Sequence, residues 1–169
     1  METEKSIFFW KENNKFGFLN SFYTSHFVDE NNIKYNCTEQ YFMANKCLKF
    51  DKSNRALYMN IMKTTIPYTI KKYGKQVNNF DKSIWDKEKY ELIKKGIRFK
   101  FSQNIKLRKK LIQTGNKNIY EATQYDKLWG RGMTMQEAKE IEDANFPGEN
   151  LLGKALMEIR EEIKNTQYK

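Results

Sequence analysis

The spacing of apolar and polar side chains predicts a few short strands and a larger number of helices. Residues 7–10 and 118–123 are rich in aromatic and β-branched side chains, which favours strands. Residues 27–28 and 33–35 flank a polar turn and predict a hairpin. Apolar residues at helical spacing, bounded by Gly, Pro and capping residues, predict helices over about 38–50, 53–63, 67–74, 83–101, 106–114, from 134 to the break at 147–148, and 150–164. The pattern predicts an α+β fold: a single compact, mainly helical domain with a few short strands over residues 6–165, after a polar, flexible N-terminus of residues 1–5.

Capping residues set the boundaries of these predicted helices. Thr38, Ser53 and Ser83 are the predicted N-caps, because a hydroxyl can accept a hydrogen bond from an amide of the first helical turn. Thr134 and Glu137 have the spacing of a capping box. The predicted helix that begins near Thr38 is therefore about three turns long, and no Gly or Pro interrupts it.

Composition indicates a folded, basic protein. The 169 residues include 12 Phe, 10 Tyr and 3 Trp, which argues against disorder. Lys and Arg number 31 against 21 for Asp and Glu, so the net charge is +10. A basic balance suggests nucleic acid or other phosphorylated ligands. However, only five of the basic residues are Arg, and abundant Lys and Asn also fit an A+T-rich genome. The basic side of residues 82–110 is therefore either a solvated face or a phosphate-attracting one.

Cysteine, histidine and hydropathy patterns exclude several classes of protein. Cys37 and Cys47 lie ten residues apart with a single histidine, His26, in the chain, which matches no zinc spacing. Neither a metal nor a cofactor is expected. Two cysteines do not form a disulfide framework, and no apolar signal region or membrane-length run is present. We therefore expect a cytoplasmic protein without a membrane partner.

The predicted helix over residues 38–50 carries the first candidate chemistry. Glu39, Met43 and Lys46 follow one another at positions i, i+4 and i+7, which places them on one helical face. Apolar residues cover much of the remaining surface, so the helix should be mostly buried. A buried acid and amine are either a structural ion pair or part of a site that opens into a cavity. Both alternatives stay open at this point.

Two predicted loops carry aromatic and polar residues of the kind that bind heterocycles. In residues 16–23 aromatic side chains enclose Asn20 and Ser21, and in residues 126–132 Asp126 precedes Trp129. Aromatic faces stack on planar bases. Two carboxylates can protonate a leaving group and activate water at a glycosidic bond, and an amine can attack an anomeric carbon. The alternatives are a capped turn beneath core aromatics and a core Trp beside a tight turn.

Five motifs follow one another along the chain: GFLNSFY at 17–23, TEQYF at 38–42 with Lys46, IYEA at 119–122, Asp126 with Trp129 and Gly130, and GENLLG at 148–153 with LMEIR at 156–160. Together they resemble the NADAR, or YbiA-like, family, and the resemblance covers nearly the whole chain. This family is known for N-glycosidases. Some members cleave phosphoribosylated pyrimidine intermediates of riboflavin synthesis, and others are linked to removing ADP-ribose from guanine in nucleic acid.

The resemblance implies roles for particular residues. Glu39 and Asp126 would handle protons and stabilise positive charge at the anomeric carbon, and Lys46 would hold a phosphate or ribose oxygen or act as the nucleophile. The chain departs from the family at two places: it has Asn-Ser-Phe at 20–22 where Ser-Asn-Phe is usual, and Gln40 where His is usual. The substrate-binding residues implied are Phe18, Asn20, Trp85, Trp129 and Gly130.

The function implied is hydrolysis of the N-glycosidic bond of a phosphorylated ribosyl compound. The expected partners are that substrate, either a riboflavin-pathway intermediate or ADP-ribosylated guanine, and therefore ADP-ribosylated DNA or RNA in the second case. Two alternatives belong to other classes. One is a non-catalytic module that binds ADP-ribose or NAD through the same pocket, and the other is a nucleic-acid-binding protein that uses the basic residues 82–110.

Overall fold

The computed structural model describes residues 1–141 and 146–167. Within these ranges the predicted α+β, mainly helical fold with a few short strands is confirmed. A short 3-10 helix spans Gly17–Leu19. The strands are β1 (Ser6–Phe9), β2 (Phe27–Val28), β3 (Lys34–Tyr35) and β4 (Asn118–Glu121), and the α-helices are α1 (Thr38–Phe50), α2 (Arg55–Lys63), α3 (Pro67–Gly74), α4 (Lys82–Gln103), α5 (Ile105–Gln113), α6 (Met135–Glu140) and α7 (Leu151–Gln167).

The chain divides into two compact units. The central unit is Thr24–Asn104, and the terminal unit consists of Met1–Tyr23 and Ile105–Lys169. The central unit holds β2, β3 and α1 to α4, and the terminal unit holds the remaining elements. One domain over residues 6–165 stays a prediction.

Helix α1 is the centre of the central unit. It packs against α2, α3, α4 and β3, and its first seven residues, from Thr38 to Ala44, are buried. The hairpin is confirmed: β2 and β3 are antiparallel, with Phe27 opposite Tyr35. The Tyr41 ring of α1 meets the Tyr35 ring edge-on at 5.2 Å between centroids, an arrangement that aromatic pairs favour. This packing fixes α1 independently of the charged residues on its surface.

The predicted cap of α1 is wrong by one residue. Cys37, in extended conformation, is the N-cap, and Thr38 is already helical. The Thr38 hydroxyl oxygen is buried and makes no hydrogen bond within the described part of the chain. Because Thr38 lies inside the helix, its hydroxyl does not accept from a first-turn amide as a capping side chain would.

The N-caps of α2 and α4 also differ from the predicted serines. The cap of α2 lies one residue later, and the cap of α4 lies two residues earlier. The Asn54 side chain, not Ser53, accepts from the Leu57 amide at 3.1 Å and begins α2. The Asp81 carboxylate, not Ser83, accepts from the first amides of α4. Asn and Asp are among the strongest N-caps, and here they override the neighbouring serines.

The terminal unit is built on a parallel strand pair. β1 lies beside β4, with Ile7 opposite Ile119, and α7 packs against β4. Sequence patterns predicted both strands but not their pairing, because the two are more than 100 residues apart. Residues 1–5 lie beside β1: the amino group of Met1 donates to the carbonyl of Phe8 at 2.8 Å. Flexibility of residues 1–5 stays a prediction.

The capping box of α6 is confirmed. The Thr134 side chain accepts a hydrogen bond from the Glu137 amide, and the Glu137 side chain accepts one from the Thr134 amide. Helix α6 ends at Glu140, and residues 142–145 of the helix predicted up to Pro147 lie outside the described residues. No helix in the described ranges is long and apolar enough to span a bilayer.

The basic side of α4 differs from the predicted solvated face. Lys89 and Lys100, two of the basic residues on this side of the helix, are buried, 9% and 1% exposed, so the solvated-face alternative is wrong for them. Other lysines of this helix pair with acids: Lys82 with Asp86, Lys94 with Glu91 and Lys95 with Glu30. These ion pairs offset much of the positive charge that α4 would offer to a phosphate backbone.

Candidate functional site

Glu39 and Lys46 interact across the buried face of α1. Glu39 is 6% exposed and Lys46 is half-buried. Burial lowers the pKa of the Lys46 amine, and the nearby Glu39 carboxylate raises it and so offsets part of this effect. The predicted acid–amine face is therefore present, since the Glu39 carboxylate is close enough to act on the charge of the Lys46 amine.

The Lys46 amine has two further neighbours in the central unit. It donates a hydrogen bond of 2.8 Å to the carbonyl of Gly74, the last residue of α3. It also lies 4.2 Å from the centroid of the Phe80 ring. A helix C-terminus and an aromatic face both favour a positive charge. Helix α3 ends this close to α1 because Gly74 lacks a Cβ, which would lie 1.9 Å from the Met43 sulfur.

An aromatic cluster adjoins this amine. Trp85 is 8% exposed and packs against the rings of Phe42, Phe50 and Phe80 at 4.8, 6.0 and 6.4 Å between centroids. Phe80 differs from the others because it is 42% exposed. Trp85 also lines a shallow groove between α1 and α4 that does not include Glu39 or Lys46.

Gln40, at the position where the resembling family usually has His, has a structural role. Its carbonyl oxygen accepts from the Asn36 amide at 2.8 Å. Its amide nitrogen donates to the carbonyls of Ile61, Met62 and Thr64 at 3.0, 3.0 and 3.2 Å. These bonds satisfy backbone groups at the end of α2 and fix α1 against it. A neutral amide used in this way cannot transfer a proton.

Two buried titratable groups lie near the start of α1. Cys37 is 1% exposed, and burial raises the pKa of its thiol to about 11. Lys100 of α4 is also 1% exposed, and burial lowers the pKa of its amine to about 7, with Cys37 acting in the opposite direction. The Glu39 carboxylate contributes to the raised pKa of Cys37. Helical spacing places Lys100 on the basic side of α4 and so does not reveal this cluster.

In the terminal unit, Asp126 shapes the loop of residues 126–132. Its carboxylate oxygen Oδ1 accepts from the amides of Leu128 at 3.0 Å and Trp129 at 2.8 Å. This is an Asx turn, in which the side chain replaces a backbone acceptor. The Gly132 amide closes the loop on the Asp126 carbonyl at 3.1 Å. Asp126 therefore fixes the backbone on both sides of the partly exposed Trp129.

The same loop accepts hydrogen bonds from residues at the start of α7. The carbonyls of residues 127–130 accept from the amides of residues 149–152 at 2.7–3.1 Å. Gly130 is required here because a Cβ would lie 2.8 Å from the Glu121 carbonyl oxygen. The backbone of Asn150 is in the left-handed conformation (φ 53°), and its side chain accepts from the Glu121 amide and donates to the Ile119 carbonyl. The GENLLG motif thus ties loop, strand and helix together, a role for Asn150 that the sequence analysis missed.

Asn20 and Phe18 lie in a separate segment of the terminal unit. Asn20 is 7% exposed: its side-chain amide donates to the carbonyl of Trp10 and its oxygen accepts from the Phe22 amide at 2.7 Å. Phe18 is 5% exposed, and the Lys110 amine lies 5.6 Å from its ring centroid. Asn20 therefore stabilises a turn, as one of the two alternatives held.

The structure brings together the predicted residues in three groups. The central unit places Glu39, Lys46 and Trp85 around α1, while Asp126, Trp129 and Gly130 share one loop of the terminal unit and Phe18 and Asn20 share another segment. Their catalytic and binding roles stay predictions. Phe80 was missed, although an aromatic residue between polar ones in a predicted loop is a detectable signal. Across residues 1–141 and 146–167 no group of His, Cys, Asp and Glu could hold a metal ion.

Known proteins resemble this chain along most of its length. The family model of the NADAR domain matches residues 8–164. N-glycosidase R617 of Acanthamoeba polyphaga mimivirus is 41% identical over 169 residues, which cover 96% of this chain and 98% of that protein. N-glycosidase YbiA of Escherichia coli (strain K12) is 29% identical over 126 residues, which cover 75% of this chain and 69% of that protein.

A solved structure shows the same fold. The NMR structure of the Escherichia coli protein YbiA aligns with a TM-score of 0.78 at 24% sequence identity, covering 100% of this chain and 90% of that chain. The YbiA-like fold predicted from the ordered motifs is therefore confirmed.

Proposed function

The chain belongs to the NADAR family, and we propose that this N-glycosidase hydrolyses the N-glycosidic bond of a phosphorylated ribosyl compound. The family resemblance drawn from the ordered motifs is confirmed. The observation that carries the proposal is the placement of a buried carboxylate, Glu39, on one face of α1, where its charge acts on the amine of Lys46. The candidate substrates are a phosphoribosylated pyrimidine of riboflavin synthesis and ADP-ribosylated guanine in DNA or RNA.

Hydrolysis of an N-glycosidic bond requires three things from the protein. The leaving base must accept a proton, the anomeric carbon must be stabilised as it gains positive charge, and a water molecule must be deprotonated as it adds. We assign these tasks to carboxylates. Glu39 is the stronger candidate, because it is buried and because its charge already acts on the Lys46 amine.

For Lys46 we propose a binding role. Burial lowers the pKa of the Lys46 amine, and the Glu39 carboxylate, the Gly74 carbonyl and the Phe80 ring each oppose that lowering by favouring the ammonium form. An ammonium cannot attack an anomeric carbon, because it has no free electron pair, but it can hold a phosphate or ribose oxygen. The hydrogen bond to Gly74 also keeps the amine at a fixed place on α1.

The residues of the terminal unit are assigned roles by the family resemblance and supported by their geometry. Asp126 is the proposed second carboxylate, and its turn sets the position of Trp129. Trp129 is partly exposed and is proposed to wall the sugar or the base. Gly130 is buried against the Glu121 carbonyl and is proposed to contribute to substrate binding through the loop backbone that its close packing holds in place. Phe18 and Asn20 are buried in the terminal unit and Trp85 is buried in the central unit, and each is proposed to support the substrate-binding residues of its own unit.

The direct test is a product assay. The protein is incubated with a phosphoribosylated pyrimidine intermediate of riboflavin synthesis and, separately, with DNA that carries ADP-ribosylated guanine, and the released sugar is identified by mass spectrometry. We expect release of ribose 5-phosphate from the first or ADP-ribose from the second. If neither is released while calorimetry shows tight binding of ADP-ribose, the chain is a non-catalytic binding module and the proposal fails.

Borohydride reduction during turnover tests the role of Lys46. A nucleophilic amine that reaches a sugar aldehyde forms a Schiff base, which borohydride traps as a stable adduct. We expect no adduct at Lys46, because its contacts favour the ammonium form. Peptide mass spectrometry that finds the sugar on Lys46 would replace the binding role by a nucleophilic one.

A further inference from the structure

Phe80 is the exposed member of the aromatic cluster beside Lys46. It lies in the segment between α3 and α4 and is 42% exposed, whereas Trp85 is 8% exposed. Three rings already pack around Trp85, at 4.8 to 6.4 Å between centroids. An exposed phenyl ring costs hydration free energy that a planar ligand could recover by covering it. Of these two rings, Phe80 therefore offers the larger surface to a ligand.

The segment that carries Phe80 is held in place by a buried acid. Asp51, at the C-terminal end of α1, accepts from the Asn78 amide at 3.1 Å, the Asn78 side chain at 3.0 Å and the Asn54 side chain at 2.9 Å. These hydrogen bonds keep the pKa of Asp51 below its usual value, so the carboxylate stays charged. Phe80 follows two residues after Asn78, and its ring meets the Phe50 ring edge-on at 5.3 Å. Its position is thus fixed before any ligand arrives.

Phe80 and Lys46 form a pair with complementary chemistry. The amine lies over one face of the ring, 4.2 Å from its centroid, so a base stacks on the other face and the ribose or phosphate of the same ligand reaches the amine past the ring edge. A base, a ribose and a phosphate together require an aromatic face and a positive charge at short distance. No residue role that the family resemblance implied included Phe80.

We infer that Phe80 determines specificity by stacking on the heteroaromatic base of the substrate, next to the Lys46 amine that binds its ribose or phosphate oxygens. This inference rests on the proposed function, since it names the residue that recognises the leaving base. Trp85 then acts as a support behind Phe80. If Phe80 stacks on the base, removing its ring should weaken the binding of ligands that carry a base and leave the binding of ligands without a base unchanged.

Calorimetry with two probes tests this independently of turnover. Guanosine 5′-monophosphate carries a base, a ribose and a phosphate, and ribose 5-phosphate lacks only the base. We expect Phe80→Ala to weaken binding of the nucleotide by about 5- to 100-fold, the range that base–aromatic stacking supplies. Binding of ribose 5-phosphate should change by less than about twofold, and Phe80→Trp should restore nucleotide binding because it restores a stacking face.

Two further variants separate stacking from other effects of the substitution. Tyr68→Ala removes a ring that is 67% exposed on α3 of the same unit and should change neither probe. Phe80→Leu keeps an apolar side chain over Lys46 but cannot stack on a base, so it should weaken nucleotide binding as Phe80→Ala does. If Phe80 acted only through the charge of Lys46, Phe80→Ala would weaken both probes equally, and that result would overturn the inference.

Kinetics on the cleaved substrate distinguish this inference from the proposed function. Loss of stacking should raise KM by more than it lowers kcat, and the pH profile should stay in place. A wild-type protein that binds the nucleotide through Phe80 but releases no sugar would keep the inference and remove the proposed function. If the protein is active but Phe80→Ala leaves KM and nucleotide binding unchanged, the inference is overturned and the proposed function stands. The inference is also overturned if the wild-type protein binds the nucleotide no more tightly than ribose 5-phosphate.

Discussion

Glu39 and Asp126 are both acids near an aromatic residue, but their surroundings differ. Glu39 lies on α1, whose backbone is fixed by packing and by Gln40, and its charge acts on other titratable groups, Lys46 and Cys37. Asp126 lies in a loop, and its Oδ1 atom accepts two amides of that loop. The helix holds its acid in place, whereas the loop is held in place by its acid.

This difference decides what a substitution measures in each region. On α1, removing a charge changes the electrostatics of a site whose backbone has other supports. In the 126–132 loop, the same change also removes the hydrogen bonds that shape the backbone. A loss of activity is therefore direct evidence for chemistry in the first region, and it needs a stability control in the second.

The largest effect is expected from Glu39→Gln. The amide keeps the size of the side chain but cannot donate or accept a proton at the reacting bond, so kcat should fall by about 100- to 10,000-fold. Urea unfolding should show a stability within about 1 kcal/mol of wild type, because packing and Gln40 hold α1. Turnover assays and unfolding curves on the same preparation check both parts.

A matched control for that substitution is Glu91→Gln on α4. The Glu91 side chain is 69% exposed and pairs with Lys94 at the surface. Its removal should leave kcat unchanged and alter stability by less than about 0.5 kcal/mol. Activity of Glu39→Gln within twofold of wild type would remove the acid of α1 from the mechanism.

A smaller and more informative effect is expected at Asp126. Asp126→Asn keeps an oxygen that can accept the Leu128 and Trp129 amides, whereas Asp126→Ala removes it. We expect the Ala variant to lose about 1–3 kcal/mol of stability and the Asn variant less than about 1 kcal/mol. If the carboxylate also acts on the substrate, Asp126→Asn should still lose activity by about 10-fold or more.

The Asn variant decides between the two roles of Asp126. An Asp126→Asn protein with wild-type stability and wild-type turnover would mean that the carboxylate is needed only for the turn. The two acids would then have different roles: Glu39 on α1 would act in the chemistry, and Asp126 would only stabilise its loop. Loss of turnover at unchanged stability would instead give both acids a chemical role.

The sequence predicted the α1 face because helical spacing is local information. Glu39 and Lys46 are seven residues apart, and a helix of known period places them on one side. The partners of Lys46 could not be predicted in this way. Gly74 and Phe80 are about 30 residues away, and only the packing of α3 against α1 brings them to the amine. The parallel pairing of β1 with β4 was inaccessible for the same reason.

Local motifs were less informative for polar loop residues that can either bind a ligand or stabilise a turn. Asn20 and Asp126 are polar residues in aromatic loops, and their spacing to Phe22 and Trp129 also fits Asx turns, which the structure shows. Asn150 was part of a motif used only for the resemblance, yet its side chain ties the loop to β4. The side chain of an Asn or Asp in a loop can accept a hydrogen bond from the backbone amide two or three residues later. Such a residue should therefore be assigned to a turn before it is assigned to a binding site.

The smallest effect expected concerns Lys100, which shows how strongly burial in the central unit acts on charge. Its pKa is lowered from the ordinary 10.5 to about 7, so between these values the unfolded chain binds more protons than the folded one. The penalty for burying this amine is complete below pH 7 and shrinks as the pH rises, so the free energy of unfolding should rise with pH in this window. Lys46 acts in the same direction, and Cys37, whose pKa is raised from 9.0 to about 11, acts in the opposite direction above pH 9.

Urea unfolding between pH 7.5 and 8.5 should therefore show a slope that Lys100→Met reduces by about 1 kcal/mol per pH unit. Lys87→Met on the same helix is the control, because Lys87 is exposed and its removal should leave the slope unchanged. An identical slope in wild type and Lys100→Met would mean that the buried amine keeps its proton in the folded protein. The contrast between the two regions would then rest on Glu39 and Lys46 alone, since burial near α1 would not by itself be enough to neutralise a lysine.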